Sequence, residues 1–241
     1  MVVDTEVLIV GAGPVGLVIA LMIAKEGINV TVIERFSEVI QSPRAMAYGP
    51  AAVNELERAG IADDCRKIGM EECDYTVEIR WITKDNKKIC GFERPAGGHP
   101  PVICGQHRVA EVILNHMAKY PNAKVLWDHT FKAVKENGDS ATVTCETKDG
   151  DKEITARYVV GADGATSSVR KAIGCTFDGF TYDKMVVATN VYYPFRENGF
   201  GLAQFIVDPE HFALVSAAFF FHLIILDREM RSRRNVSMLL R

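Results

Sequence analysis

Gly11, Gly13 and Gly16 stand at the G-x-G-x-x-G positions of GAGPVG, between a short apolar run at residues 6–10 and an apolar helical stretch at 15–24. Such glycines serve phosphate chemistry. The first permits a tight turn, the second lets backbone approach a pyrophosphate, and the third allows close packing of helix on sheet. With Pro14 the turn opens a helix whose N-terminal N–H groups face the phosphate charge. Glu34 follows at the end of a second strand, residues 30–33, with Arg35 beside it. A carboxylate there can accept hydrogen bonds from an adenosine ribose diol. The pattern predicts adenine-dinucleotide binding and leaves FAD and NAD open. It argues against NADP at this position, because a 2′-phosphate would meet like charge.

The elements that must carry these residues follow from turn chemistry and periodicity. Gly27 sits where a helix C-terminus wants a left-handed residue, so residues 6–33 read as strand, helix, strand, an α/β start. A second helix is expected over 50–59, closed by Gly60, then two strands within 75–92 joined by the polar KDNKK turn. A third helix is expected over 108–119, ended by Pro121. Short strands are expected at 124–127, 130–135 and 141–147, with Asn137-Gly138 and Asp149-Gly150 as hairpin turns. Residues 157–160 read as a buried strand leading into GADGATSSVR, and 186–193 and 204–207 as strands of another layer.

Composition narrows the function classes. The 241 residues carry 28 Lys+Arg against 31 Asp+Glu, a formal net charge of −3, with 48% hydrophobic residues. That excludes a disordered chain and leaves no global basic field for nucleic acid or an anionic membrane. The six cysteines show no CxxC pair or zinc spacing and read as reduced core thiols, with no metal. Asp4 and Glu6 ahead of a short apolar run argue against a signal peptide, giving a cytoplasmic expectation. Residues 212–226 are apolar apart from Ser216 and His222. As a helix they would span about 22 Å against about 30 Å of hydrocarbon, so a strand running into an unusual tail is the better reading.

Several segments together resemble one family. GAGPVG, IER at 33–35, SPRAMAYGPAAVNELERAGI at 42–61, QHRVAEVILNHM at 106–117 and VGADGATSSVR at 160–170 match, in order and spacing, the FAD-dependent aromatic hydroxylases. These are single-component flavoprotein monooxygenases similar to phenol and p-hydroxybenzoate hydroxylases. The resemblance covers about residues 5–216 and implies a three-layer, Rossmann-like FAD-binding domain with an incomplete, mostly antiparallel β substrate layer. It implies that Gly11, Gly13, Pro14, Gly16, Glu34, Arg35, Arg44, Gln106, Arg108, Asp163 and Gly164 bind FAD. Arg44 would offset phosphate charge, Gln106 could instead cap its helix, and Arg170 could hold Asp163 or a phosphate. It also implies NAD(P)H as co-substrate, and a small aromatic substrate and O₂ as partners of a dry pocket. Nucleic acid is not expected, and a homo-oligomer stays open.

Catalysis is unassigned: Tyr192, Tyr193, Arg196, His211, His99 and His107 have no partner that sequence can name. The family's later G-D-x-x-H-x-x-x-P segment has no counterpart here. The match runs through 208–216 and stops, so residues 217–241 are expected not to be native family sequence, as after a premature stop, retained intron or frame change. The domain reading is 1–174 for FAD, with a β insertion at about 75–104, then 175–216 as the start of the substrate layer, then the tail. Two alternatives stand beside the hydroxylase: a truncated, non-catalytic FAD- or ADP-binding fragment, and a related halogenase, epoxidase or oxidase.

Overall fold

Every second residue of the first strand points to the opposite face of its sheet, and both faces are apolar. In the computed structural model, which describes residues 3–42, 44–72, 78–93, 101–181, 194, 197–200, 203–208 and 212–215, this strand is β1, Thr5–Val10. Val7 and Ile9 enter one core cluster while Leu8 and Val10 enter another. A strand buried on both faces requires a layer above and a layer below.

The chain continues as α1 (Pro14–Lys25), β2 (Val30–Ile33), β3 (Ala47–Tyr48), α2 (Pro50–Arg58), α3 (Ala62–Glu72), β4 (Glu78–Ile82) and β5 (Lys88–Glu93). Then come β6 (Val102–Ile103), α4 (Gln106–Met117), β7 (Ala123–Leu126), β8 (Thr130–Glu136), β9 (Ala141–Thr147), β10 (Gly150–Gly161), α5 (Ser168–Ala172), β11 (Ala203–Ile206) and β12 (Ala213–Val215). The main sheet has the order β7-β2-β1-β10-β9-β8. Its β7, β2, β1 and β10 are parallel neighbours, whereas β10, β9 and β8 form an antiparallel meander. β10 belongs to both halves, because its residues Gly150 to Ala156 pair with β9 and Ala156 to Gly161 with β1.

On one face Leu17, Ala20, Leu21 and Ala24 of α1 pack with Val109, Val112 and Ile113 of α4. On the other, Phe131, Val143, Cys145 and Val169 cover Leu8, Val10 and Ile33. Fully burying Leu8 and Ile9, both 0% exposed, contributes about 1.5–3 kcal/mol each. The mixed α/β three-layer expectation therefore holds. A separate sheet, ordered β12-β11-β4-β5, joins the insertion strands to those after residue 200.

Several expectations change: the stretch read as a buried strand at 157–160 is a strand, but Arg157 and Tyr158 are exposed and Val159 and Val160 only half-buried. Helix α3 was not foreseen, and β10 begins seven residues before the expected strand at 157. The expected strand at 186–193 and the stretch 216–241 lie outside the described residues. Of the cysteines, Cys65, Cys104 and Cys145 are buried, but Cys90 and Cys175 are exposed, and Cys73 lies outside the described residues. Burial pushes the Cys65 thiol up to about 12 and Cys145 to about 11, so both stay protonated and inert near neutrality. Among the described residues no helix is long and apolar enough to cross a membrane.

Candidate cofactor site

The turn after β1 can be built only from glycine at two of its positions. Gly11 has φ +109°, and a Cβ there would lie 2.6 Å from the Ala162 carbonyl oxygen. A Cβ on Gly16 would collide with the Gly11 carbonyl oxygen. Gly13 differs: a Cβ on it would meet nothing within 4 Å. Its missing side chain therefore faces open space at the mouth of α1. Gly13 is also the extended N-cap of α1, with Pro14 in the first turn, no side-chain cap and no acidic residue there. The helix start presents unpaired N–H groups and about half a positive charge to that space. Val15, on the same turn, leaves its side chain 65% exposed.

Glu34 ties this turn to β2. Its Oε2 accepts the Ala12 N–H at 2.8 Å and its Oε1 accepts the Phe36 N–H at 3.2 Å. Its backbone is held by Leu126 and His129. Each carboxylate oxygen retains acceptor capacity for a diol. The Ala12 bond was not legible in the sequence, since it depends on how the turn folds back over the strand end. Arg35 is exposed, and its guanidinium lies over the Phe36 ring at 4.6 Å.

The second fingerprint lies directly against the first. Ala162 N–H donates to the Val10 carbonyl at 2.8 Å, and the Gly11 position abuts Ala162 and the Asp163 Cα. Gly164 has φ +86° with open space at its Cβ position. The Asp163 carboxylate is already engaged: Oδ1 accepts the Ser167 hydroxyl at 2.5 Å, and Oδ2 accepts the Ser168 and Val169 N–H groups at 2.6 and 3.2 Å. Partial burial pushes its pKa up, but the Ser167, Val169 and Ser168 hydrogen bonds outweigh it and hold the group below the usual 3.8. Ser167 caps α5 through Arg170 N–H at 2.9 Å. A serine immediately before a short helix is the signal that could have shown this. The expectation that Arg170 holds Asp163 is not met. Its guanidinium donates to the Ala165 carbonyl at 2.8 Å and lies over Phe177.

Arg44, Gln106 and Arg108 gather elsewhere, at the start of α4. β3 pairs with β6, and the ladder extends to bonds from Cys104 N–H to Met46 O and from Gln106 N–H to Ala45 O. This places the residue after Arg44 against the first residue of α4. Gln106 does not cap the helix: the N-cap is Gly105 and carries no side-chain cap. Arg108 pairs with Glu111 at 2.9 Å, while Arg44 is exposed and has no hydrogen bond or ion pair among the described residues. The helix bearing Gln106 packs on α1 through Val109, Val112 and Ile113.

The open face at Gly13, the uncapped α1 start and the Glu34 carboxylate fit a group with a pyrophosphate and an adenosine ribose. The comparisons with known proteins agree. The chain is 36% identical over 213 residues to para-nitrophenol 4-monooxygenase of Pseudomonas sp. (strain WBC-3), covering 87% of this chain and 52% of that protein. It is 31% identical over 209 residues to 6-hydroxy-3-succinoylpyridine 3-monooxygenase of Pseudomonas putida, covering 84% and 52%. The crystal structure of p-nitrophenol 4-monooxygenase from Pseudomonas putida DLL-E4 superposes with a TM-score of 0.88 at 32% identity, over 97% of this chain and 62% of that one. The chain thus spans about half the length of the curated relatives it matches. The model of the FAD binding domain family matches residues 4–219, and the chain belongs to that family.

Proposed function

We propose that this polypeptide holds FAD for an aromatic monooxygenase, with NAD(P)H as reductant, O₂ as oxidant and a phenol-like ring as substrate, working in the cytoplasm. The observation that carries the reading is the glycine turn at α1, open at Gly13 and faced by Glu34, in a chain of the FAD binding domain family. The relatives' names supply the aromatic monooxygenase class.

In this reading Gly11, Gly13, Pro14 and Gly16 shape the turn that receives the pyrophosphate against the α1 N–H groups. Glu34 accepts from the ribose diol, and Arg35 adds positive charge at that end. Arg44, Gln106 and Arg108 line the second approach, where cations offset phosphate charge. Asp163 acts through the turn it fixes: by anchoring α5 it holds Ala162 against Gly11 and leaves Gly164 open. Bound FAD supplies the hydride acceptance and oxygen activation that no side chain provides. The chain's own part is to grip, orient and shield it. Residues 1–174, 175–216 and 217–241 are proposed as the cofactor unit, the start of the substrate layer and an atypical tail.

The test is direct. Purified protein is expected to carry a flavin absorption band and to oxidise NAD(P)H faster when a phenol is added. Protein without flavin after reconstitution with FAD would defeat the reading. The second reading, a non-catalytic FAD- or ADP-binding fragment, predicts flavin without phenol-stimulated turnover.

A further inference from the structure

The second sheet has two unlike faces. Its register sets Gln204 opposite Arg80 and Val215, and Ile206 opposite Ile82 and Ala213. Gln204, Ile82, Ala213 and Val215 are 0–4% exposed, while Arg80 and Ile206 are half-buried, so that face is the more closed of the two. The alternate residues form the other face. There Phe205 lies opposite Trp81 and Leu214, and Trp81 opposite Cys90. The Trp81 and Phe205 rings stack at 4.9 Å with 9° between their planes, and Phe212 continues the row 6.3 Å from Phe205. This face is only half covered: Trp81 and Phe205 are half-buried, Cys90 is exposed, and Phe212 is 43% exposed.

Cross-strand stacking alone explains why two rings meet, but not why a third, 43% exposed, follows on the more open of the two faces. Rigid aromatic side chains have little rotamer freedom to lose and present residual apolar area that a planar ligand can cover. We propose that Trp81, Phe205 and Phe212 form the ring-binding wall for a small monocyclic phenol, with Trp81 as a specificity-determining residue; this rests on the monooxygenase reading above. Trp81 comes from the insertion rather than from the strands after residue 175. The parallel pairing of β4 with β11 brings it there. Phe205 and Phe212 offer aromatic surface and no charge, so the wall recognises flatness and apolar area. It leaves polar recognition of the hydroxyl to other groups.

The chain has two tryptophans, Trp81 and Trp127. In W127F, Trp81 is therefore the sole tryptophan emitter. Titrating the full-length W127F chain with 4-nitrophenol, corrected for inner-filter absorption, is expected to quench its emission saturably. Adding F205L or F212L is expected to weaken that binding by about tenfold, with the unfolding midpoint within a few degrees of its parent. Equilibrium dialysis of W81L against the same phenol should show a similar loss, and it decides the matter if F205L folds poorly. Linear quenching without saturation, or an affinity untouched by F205L and W81L, overturns the wall. Flavin absorbance read on the same samples separates the two proposals. Flavin retained without saturable phenol binding sinks the wall alone, whereas saturable, variant-sensitive binding in protein that cannot take up FAD supports the wall and defeats the cofactor reading.

Discussion

The glycine turns after β1 and after β10 leave neighbouring strands and solve the same electrostatic problem in opposite ways. Each delivers a helix whose first N–H groups need an acceptor. At α1, twelve residues long, the protein supplies no side-chain acceptor and no first-turn acid, and Gly13 faces open space. At α5, five residues long, Asp163 and Ser167 take those N–H groups themselves. Both turns hold a carboxylate, but Asp163 spends its own on the first N–H groups of α5, whereas Glu34 reaches Ala12 ahead of α1 and leaves that helix without a side-chain cap. In the proposed reading the first is the one that receives a phosphate. Two fingerprints that look equivalent as glycine patterns thus divide, in that reading, into a receptor and a brace.

The largest effect expected from breaking this contrast is structural. In G16A the new methyl collides with backbone, which cannot rotate away, so destabilisation of about 3 kcal/mol or more is expected. For a chain of this size that lowers the unfolding midpoint by about 6–12 °C, read by thermal denaturation. G13A should behave in the opposite sense. Its methyl meets nothing, so stability should change by less than about 1 kcal/mol, yet FAD affinity should fall at least about tenfold, read by flavin content after dialysis. A G13A protein that keeps its flavin would remove the receptor role from the first turn.

The same two regions show what sequence can and cannot carry. β1, α1 and β2 were legible because their cues are local: an apolar run, glycines at fixed offsets, a helix stop at Gly27. Helix α3 was hidden because the positions it buries near its start, Ala62 and Cys65, are small, which flattens the hydropathy signal among Asp63, Asp64 and Arg66. The first half of β10, GDKEITA, is polar because it runs in the exposed meander, so only its apolar end, Tyr158 to Val160, looked like a strand. Glu34 could be placed from its distance to Gly16. The partners of Asp163 could not, since they depend on Ser167, Ser168 and Val169 folding back onto the turn. Nor could the Trp81–Phe205 pair, which requires strands far apart in sequence to become neighbours.

D163A sharpens the contrast from the other side. It strips α5 of an acceptor for two backbone N–H groups and the Ser167 hydroxyl, at a cost of about 1–2 kcal/mol. Because the folded pKa lies below the ordinary 3.8, the native carboxylate's contribution is complete above that value and is lost as pH falls through the folded one. The stability gap between native protein and D163A should therefore be flat from neutrality to roughly pH 5 and close in stronger acid. Denaturant titrations across that range measure it, and a gap that widened on acidification would reverse the assignment.

The smallest effect belongs to E34Q, and it tests whether Glu34 is part of the receptor or only a strut beside it. The carboxylate accepts from Ala12 with one oxygen and from Phe36 with the other. A glutamine can offer one oxygen but must turn its amide N–H₂ toward the second donor, so one of the two bonds is lost. Since Glu34 is only half-buried and water can replace that bond, the stability loss should stay below about 1 kcal/mol. A ribose diol that donates to the same carboxylate would feel both the lost charge and the lost acceptor, which predicts FAD affinity lower by about threefold to tenfold. A strut predicts the small stability loss alone. Measuring both quantities on one variant separates the two roles, because binding and folding then move by different amounts.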